Sequence, residues 1–435
     1  MEINFSNSKI DKKDLDEMLD SSISYTTYLK GVIEKSDYEV AEASINLPFS
    51  KKIIREIEDL VSHVDVSKLE IIFVVGIGGS DLGTKAIYDG LKGYLDEYKS
   101  KYPQIIFLDT INEEIIEEIN DLIIKEGRIS SLEEILINVI SKSGTTTETI
   151  FNFELLYKTL SQLGEKINDR VIVTTDKNSK LWKKADELDI RKVAIPRMVG
   201  GRFSVFTAVG LLPLYLVDIN ISELLQGARK AVNDIIDSND NNAIFSAFSI
   251  YKHYLNGKNI INHFFFIPKL ERLGKWYKQL IGESIGKQYN LSGYEKHVGI
   301  TPITSIGSTD LHSMAQLYFG GPNDKFSCLI YRDDTEKDIK NGSPIFENLV
   351  EGIKGKTSSD VMNAIYQGVK KAYIKNSIPF MEIIMPKLDA YNIGYFLQFK
   401  MLEVMYLGKL LNVNTFDQPN VEDYKKETRN LLEKK

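Results

Sequence analysis

The sequence predicts two α/β domains, each built around a mainly parallel sheet, after a helical segment over residues 1–65. Three observations support this fold class. The chain has 435 residues, which suits two or three domains. Short apolar runs rich in β-branched residues alternate with helical-looking stretches, as in buried parallel strands joined by crossover helices. These runs form two series, and the polar stretch DSNDNN at 237–242 separates them.

The elements follow in order along the chain. Residues 1–65 carry helical spacing and many charges, and no strand is expected there. The first series of predicted strands comprises LEIIFVVGI (69–77), QIIFLDT (104–110), ILINVI (135–140), RVIVTT (170–175) and RKVAI (191–195). The second series comprises NIINHFFFI (259–267), GITPITSIG (299–307), FSCLIYR (326–332) and MEIIMP (381–386). We therefore place one domain at 66–236 and another at 237–435, the latter ending in C-terminal helices.

Composition excludes several functions. The net charge of −7 argues against nucleic acid or an anionic membrane as the main partner. The N-terminus lacks an apolar signal region, and no long apolar run occurs. A cytoplasmic protein is expected. Cys328, in FSCLIY, is predicted to be a buried, unreactive thiol. The five histidines fit no metal-binding spacing, so no metal site is expected; they are His63, His253, His263, His297 and His312.

Two loops follow predicted strands and lead into helices, where open α/β sheets bind ligands. The first, GIGGSDLGTK at 76–85, fits neither familiar nucleotide motif. A dinucleotide loop requires glycine in place of Asp81, and a P-loop requires Gly-Lys-Ser/Thr in place of the segment 83–85. A tight strand-to-helix turn is the alternative interpretation.

The second loop, SKSGTTTET at 141–149, places six hydroxyl side chains around Gly144. A phosphate ester is a compact anion with several acceptor oxygens, and a helix N-terminus offers free N–H groups and partial positive charge. Hydroxyls add small neutral donors. Helix capping is the alternative, but it requires only one or two of them. We therefore interpret this loop as a phosphate-binding site.

Six segments resemble, in order, those of the glucose-6-phosphate isomerase family in its shorter bacterial form. They are GIGGSDLG, SKSGTTTET, GGRFS (200–204), GESIGK (282–287), TDLHS (309–313) and FDQPNVEDYK (416–425). The resemblance implies two sugar-isomerase (SIS) domains, each a flavodoxin-like three-layer sandwich, assembled as a homodimer. It implies reversible conversion of glucose 6-phosphate to fructose 6-phosphate in glycolysis and gluconeogenesis, with no metal or other cofactor. The residues that it assigns to substrate and phosphate binding are Gly79, Ser80, Ser141, Lys142, Ser143, Thr145, Thr146 and Gln418.

Two positions depart from relatives. Ser143-Gly144 stands where the animal branch has Thr-Phe, which keeps the hydroxyl. Asn420 stands where bacterial relatives usually have glycine; asparagine tolerates the left-handed conformation, so the turn is expected to persist.

The resemblance also assigns the catalytic roles. Glu283, expected at the start of a helical segment, would move the proton between C2 and C1. Arg202 follows two glycines that let its backbone pack closely on another segment, and its guanidinium would stabilise the developing oxyanion. From local sequence alone, an exposed glutamate and a structural salt bridge are the alternatives.

His312 and Lys425 would assist ring opening. In the family this histidine reaches the partner subunit's site, so the dimer would be the catalytic unit. A satisfied structural histidine and a lysine on an exposed helical face are the local alternatives.

Three other functions are weighed against this one. A bifunctional phosphoglucose/phosphomannose isomerase shares the fold and the base. A non-catalytic sugar-phosphate regulator does not require the glutamate, arginine and histidine that are all present here. A nicotinamide-dependent enzyme is suggested by Asp109, which ends a predicted strand where a ribose-binding acid would lie, but the glycine spacing is wrong.

Overall fold

The structure, a computed structural model, describes residues 1–93, 103–237, 241–333, 339–340 and 349–434. The chain forms two compact units, one of Met1–Thr26 with Asn233–Lys435 and one of Thr27–Val232. The domain boundaries placed at residues 65 and 236 stay predictions. Residues 238–240 of the polar stretch lie outside the described residues.

Twelve strands lie in the described residues. They are β1 (Glu2–Asn4), β2 (Ile71–Val75), β3 (Gln104–Leu108), β4 (Ile135–Ser141), β5 (Val171–Asp176), β6 (Arg191–Ile195), β7 (Ile260–Phe265), β8 (Lys287–Tyr289), β9 (Glu295–Val298), β10 (Thr301–Ile306), β11 (Lys325–Arg332) and β12 (Phe380–Met385).

The same residues form fourteen α-helices. They are α1 (Lys12–Lys35), α2 (Lys51–Val61), α3 (Leu82–Lys92), α4 (Glu113–Asn120), α5 (Thr147–Leu160), α6 (Lys180–Glu187), α7 (Ala208–Leu216), α8 (Ile221–Ile236), α9 (Asn242–Leu255), α10 (Glu271–Ile285), α11 (Ala315–Gly320), α12 (Ser358–Lys375), α13 (Ala390–Leu411) and α14 (Glu422–Glu433).

The unit of residues 27–232 contains a sheet in which every neighbouring pair is parallel. Its strand order is β3-β2-β4-β5-β6, which is the flavodoxin-like order with the first strand of the series inside the sheet. In this order the strand sequence reverses between β2 and β4, and ligands bind beyond the carboxyl ends of such strands. The loops after β2 and β4 therefore occupy the switch point of this sheet.

The other unit contains a mixed sheet of order β1-β12-β11-β7-β10. The strands β7, β10, β11 and β12 are parallel and keep the same relative order as the first four strands of the other sheet. The fifth position is taken by β1, which pairs antiparallel with β12 and places Glu2 opposite Ile384. A two-stranded hairpin, β8–β9, lies outside this sheet.

The apolar faces of helices pack against each sheet. In the unit of residues 27–232, Phe73 and Ile137 lie in one buried cluster with Leu156 and Leu160 of α5. In the other unit, Phe264 and Leu329 pack with Tyr366 of α12. Each such side chain contributes about 1.5–3 kcal/mol when it is removed from water. These cores hold the strand ends, and hence the loops, in fixed places.

The predicted fold class is confirmed, and each of the nine predicted strands is present within two residues of its expected ends. The expectation of no strand in residues 1–65 is wrong, because β1 lies at the N-terminus. A three-residue edge strand carries too little alternation to be recognised. The hairpin β8–β9 was also not predicted, since its residues are mostly polar or exposed.

Candidate active site

The hydroxyl loop joins β4 to α5. Ser141 is buried at the end of β4, and its Oγ lies 2.9 Å from Oγ1 of Thr146. Ser143 Oγ accepts the backbone N–H of Thr145 at 3.2 Å and lies 3.5 Å from Thr146 Oγ1. Gly144 makes the turn with φ of +67°, a conformation that favours glycine. The loop therefore gathers four hydroxyls, those of Ser141, Ser143, Thr145 and Thr146, at the start of a helix.

Helix capping does not explain these hydroxyls. Thr146 is the N-cap residue of α5, yet its side chain accepts no hydrogen bond from the helix backbone. Ser143 and Thr145 are exposed, so their hydroxyls are open to a ligand. The N-terminus of a fourteen-residue helix and a set of neutral donors therefore face the same place, which suits a compact anion.

The glycine loop after β2 is pressed against the segment that carries Arg202. A Cβ on Gly79 would lie 2.3 Å from the carbonyl carbon of Gly201, so only glycine fits at position 79. Ser204 Oγ also donates to the Gly79 carbonyl at 3.3 Å. The close packing predicted for the segment with Arg202 is confirmed. As a result, Ser80 and Arg202 each follow directly after one of the two touching glycines.

Arg202 is 2% exposed, and its Cζ lies 5.5 Å from the centre of the Phe203 ring. A guanidinium buried this far is held rigidly, so its positive charge has a fixed position. Lys142 Nζ donates to the carbonyl of Val199 at 2.8 Å. Burial lowers the pKa of Lys142, while Asp176 acts in the opposite direction. The contact links the hydroxyl loop to the chain that leads to Arg202.

Asp109, the candidate ribose-binding acid, is engaged elsewhere. Its carboxylate forms an ion pair with the buried ammonium of Lys85. That ammonium also lies 2.9 Å from the carboxylate of Asp81. A carboxylate neutralised in this way is a poor partner for a ribose hydroxyl. The geometry thus disfavours the nicotinamide-dependent alternative.

Glu283 belongs to the other unit, and the structure corrects its predicted place. It lies near the C-terminal end of α10, not at the start of a helix. The helix passes through Gly282 and ends before Gly286. Glu283 is half-buried, and Gln279 Nε2 donates to its Oε1 at 3.1 Å. Gln279 was not among the predicted site residues, although its i, i+4 spacing from Glu283 predicts such a contact.

His312 is exposed in the turn that follows β10. Asp310 stabilises this turn, because its Oδ2 accepts the N–H of Ile306 at 2.7 Å and its Oδ1 accepts the hydroxyl of Ser313 at 2.9 Å. The turn presents the imidazole outward. An outward imidazole is available to a ligand or to another chain, in contrast to a satisfied structural histidine.

Lys425 and Gln418 lie near the C-terminus. Lys425 forms an i, i+3 ion pair with Glu422 at 2.9 Å on α14, and its side chain is 40% exposed. Gln418 is half-buried before a short 3-10 turn, Pro419–Val421. Asn420 lies within this turn and is not among the positive-φ residues of the described chain. The turn at Asn420 is present as expected, but it does not use the left-handed conformation, so no glycine is required there.

The structure links some of these residues within each unit. The glycine loop, the hydroxyl loop and Arg202 are connected in the unit of residues 27–232. In the other unit, the buried ammonium of Lys287 contacts the backbones of Glu283 and Asp417, the neighbour of Gln418. His312 and Lys425 lie on separate elements, a turn after β10 and helix α14. Lys287 was not among the predicted site residues.

The described residues contain no group of three or more His, Cys, Asp or Glu side chains placed to hold a metal ion. None of their helices is both long and apolar enough to cross a membrane.

Comparison with known proteins gives one consistent family. The sequence model of the family named phosphoglucose isomerase matches residues 51–435. The glucose-6-phosphate isomerase of Fusobacterium nucleatum is 36% identical over 379 residues, covering 84% of this chain and 80% of that protein. The enzyme of the same name from Carboxydothermus hydrogenoformans is 34% identical over 400 residues, with 89% and 84% covered.

Solved structures agree on the fold. A hypothetical protein of Thermus thermophilus has a TM-score of 0.83 at 26% identity, with 99% of each chain covered. A glucose-6-phosphate isomerase of Chlamydia trachomatis has a TM-score of 0.75 at 22% identity, with 90% of this chain and 74% of that one covered. The second likeness concerns the fold alone.

Proposed function

This chain belongs to the phosphoglucose isomerase family, and from that premise we propose how its residues divide the work of the reaction. The protein is an aldose-ketose isomerase that interconverts glucose 6-phosphate and fructose 6-phosphate. The observation that best supports the proposed division is the hydroxyl loop. It sets neutral donors at the N-terminus of α5, beyond the carboxyl end of β4, where an α/β sheet binds a phosphate.

The phosphate is held by the two loops of the parallel sheet. Ser80 and the hydroxyls of Ser141, Ser143, Thr145 and Thr146 donate to its oxygens. The other members of this site are Gly79, Lys142 and, from the C-terminal segment, Gln418. Neutral donors grip the dianion and leave the sugar carbons free to react.

Glu283 moves the proton. Its carboxylate takes the hydrogen from C2 as a proton, and the electron pair of that C–H bond forms the double bond of an enediolate. Return of the proton to C1 gives the ketose, while O1 gains a proton and O2 loses one. The buried guanidinium of Arg202 stabilises the negative oxygen that develops between these steps.

Ring opening precedes this transfer. His312 moves a proton to or from the ring oxygen, and Lys425 assists at the sugar hydroxyls. The proposed assembly is a cytoplasmic homodimer, acting in glycolysis and gluconeogenesis, in which His312 serves the partner's site. The exposure of His312 supports this role, because its imidazole is open to a second chain.

The activity itself is tested with the purified protein, EDTA and fructose 6-phosphate, using a coupled glucose-6-phosphate dehydrogenase. We expect glucose 6-phosphate to form without added metal. No product above a blank would contradict the assignment. Mannose 6-phosphate in a matched coupled assay addresses the bifunctional alternative, which predicts comparable turnover of both substrates.

Shared sites are tested with mixed dimers of His312→Ala and Glu283→Gln chains. Random pairing makes half of the dimers mixed, and sharing leaves one of two sites intact in each, so about a quarter of all sites recover. No recovery would show that each chain uses its own histidine.

A further inference from the structure

Lys287 joins two parts of the candidate site, one of which, at Asp417, lies 130 residues after it in the chain. Its Nζ donates to the carbonyl oxygen of Glu283 at 2.6 Å and to that of Asp417 at 2.6 Å. It also lies 3.3 Å from Oδ1 of Asp417. One of these carbonyls belongs to the proposed base, and the other belongs to the residue before Gln418. A single ammonium therefore fixes the distance between the two backbones.

The ammonium is almost completely removed from water. The side chain of Lys287 is 4% exposed, whereas the carboxylate of Asp417 is 48% exposed and can be hydrated. A buried charge is costly unless acceptors surround it, so the two carbonyl contacts stabilise this ammonium. Water could replace these carbonyl contacts only if the two backbone segments moved away from the ammonium.

The position of Lys287 relative to α10 adds a second effect. Gly286 N donates to the Gly282 carbonyl, which closes the last hydrogen-bonded turn of the helix. The next carbonyl, that of Glu283, lies in the last turn of the helix, where groups outside the helix donate to backbone acceptors. Lys287 supplies one such donor from its side chain, and a cation at this end is favoured by the helix dipole. The last turn of α10, which carries Glu283, is thereby held in one place.

We propose that Lys287 is a positioning residue for Glu283, fixing the end of α10 against the Asp417–Gln418 backbone. This inference rests on the proposed function of Glu283. The lysine touches neither substrate nor reacting proton in this scheme. It acts by holding the carboxylate in line with the C1–C2 bond, since a misplacement of about 1 Å can cost about 10²-fold in rate.

The test compares Lys287→Met with the parent protein and with Lys278→Met. Lys278 is an exposed lysine of the same helix, so it controls for the substitution itself.

Binding-competent sites are counted by calorimetric titration with an equilibrated mixture of the two sugar phosphates. Turnover is then expressed per titrated site, which removes the effect of any unfolded protein. We expect Lys287→Met to lower kcat per site by about 10²-fold with KM within about threefold. Lys278→Met should match the parent.

A purely structural lysine would reduce the number of titrated sites and leave kcat per site unchanged, and that result would overturn the proposal. An equal effect on kcat and KM would overturn it too. If Lys287→Met gives no soluble protein, Lys287→Arg takes its place with the same criteria. It keeps the charge, but its planar guanidinium replaces the compact ammonium that contacts both carbonyls. Lack of isomerisation in the parent protein would instead refute the function, and with it the inference.

Discussion

The two sheets share the relative order of their parallel strands but present their candidate residues differently. In the unit of residues 27–232, the two loops at the switch point carry the glycines and hydroxyls of the proposed phosphate site. In the other unit, Glu283 lies at the end of a helix and His312 lies in the turn after β10. The equivalent switch-point strands there are β7 and β11, and most of the chain between β11 and α12 lies outside the described residues.

Under the proposed roles, the sheet of residues 27–232 binds the phosphate at its switch point, and the other unit supplies the proton chemistry from the end of α10 and the turn after β10. Substitutions in the hydroxyl loop should then change affinity, and substitutions near Glu283 should change turnover. The predictions that follow test this separation, beginning with the largest effect.

Glu283→Gln should give the largest loss. The amide keeps the size of the side chain but cannot accept the proton, so kcat should fall by about 10³-fold while substrate binding changes by less than about threefold. Coupled assays and calorimetric titration provide the two numbers. Glu271→Gln, on the first turn of the same helix, is the control. Activity within tenfold of the parent would remove Glu283 from the base role.

Arg202→Lys tests the separation of binding from turnover within one unit. Arg202 lies in the unit of residues 27–232, which carries the proposed phosphate site, yet it is proposed to act in the reaction. We expect kcat to fall by about 10²-fold with a smaller change in KM, since the developing oxyanion loses a fixed guanidinium. Arg170→Lys is the control, because Arg170 donates to the Ile135 and Glu133 carbonyls at the amino ends of the strands. Equal changes in kcat and KM would indicate uniform binding instead.

Thr146→Val should weaken binding and spare turnover. Loss of one hydrogen bond to a charged group corresponds to about a tenfold rise in KM, with kcat within about threefold. Thr147→Val changes the exposed neighbour on the first turn of α5 and should have little effect. A fall in kcat at unchanged KM would contradict the proposed separation of binding by the hydroxyl loop from turnover by Glu283.

The smallest effect is expected at Cys328 in β11, the strand equivalent by order to β4. Burial raises the pKa of its thiol to about 12, so the thiol stays protonated at neutral pH. Iodoacetamide should leave native enzyme active and unlabelled and should react after denaturation. Rapid loss of activity with labelling of native protein would show an accessible thiolate.

Much of this arrangement could be predicted from local sequence. Buried parallel strands are continuous apolar runs, so β2 and β4 were predicted correctly. The positions of the loops after these two strands were therefore also predicted correctly. The touching of Gly79 and Gly201 agrees with glycines on both segments. The strands depend on neighbours in the chain, so the local sequence indicates them. The contact of Gly79 with Gly201 joins distant segments, and only the glycines that permit it could be recognised from the sequence.

Features that depend on distant residues could not be predicted. The pairing of β1 with β12 joins the N-terminus to residues near 384, and nothing local indicates it. Glu283 was expected at the start of a helical segment but lies near the end of α10, because an isolated glycine such as Gly282 can lie within a helix as well as at its boundary. The contact between Lys287 and Asp417 could not be predicted, because the tertiary fold brings these residues together and the local sequence around each does not indicate the other.

The central claim is tested most directly by a crystal structure of the Glu283→Gln variant with fructose 6-phosphate bound. The account predicts phosphate oxygens within hydrogen-bonding distance, about 3 Å, of the hydroxyls of Ser141, Ser143 and Thr146. It also predicts the side chain at position 283 next to C1 and C2 of the sugar. A phosphate bound away from the hydroxyl loop, or a side chain at 283 directed away from these carbons, would contradict it.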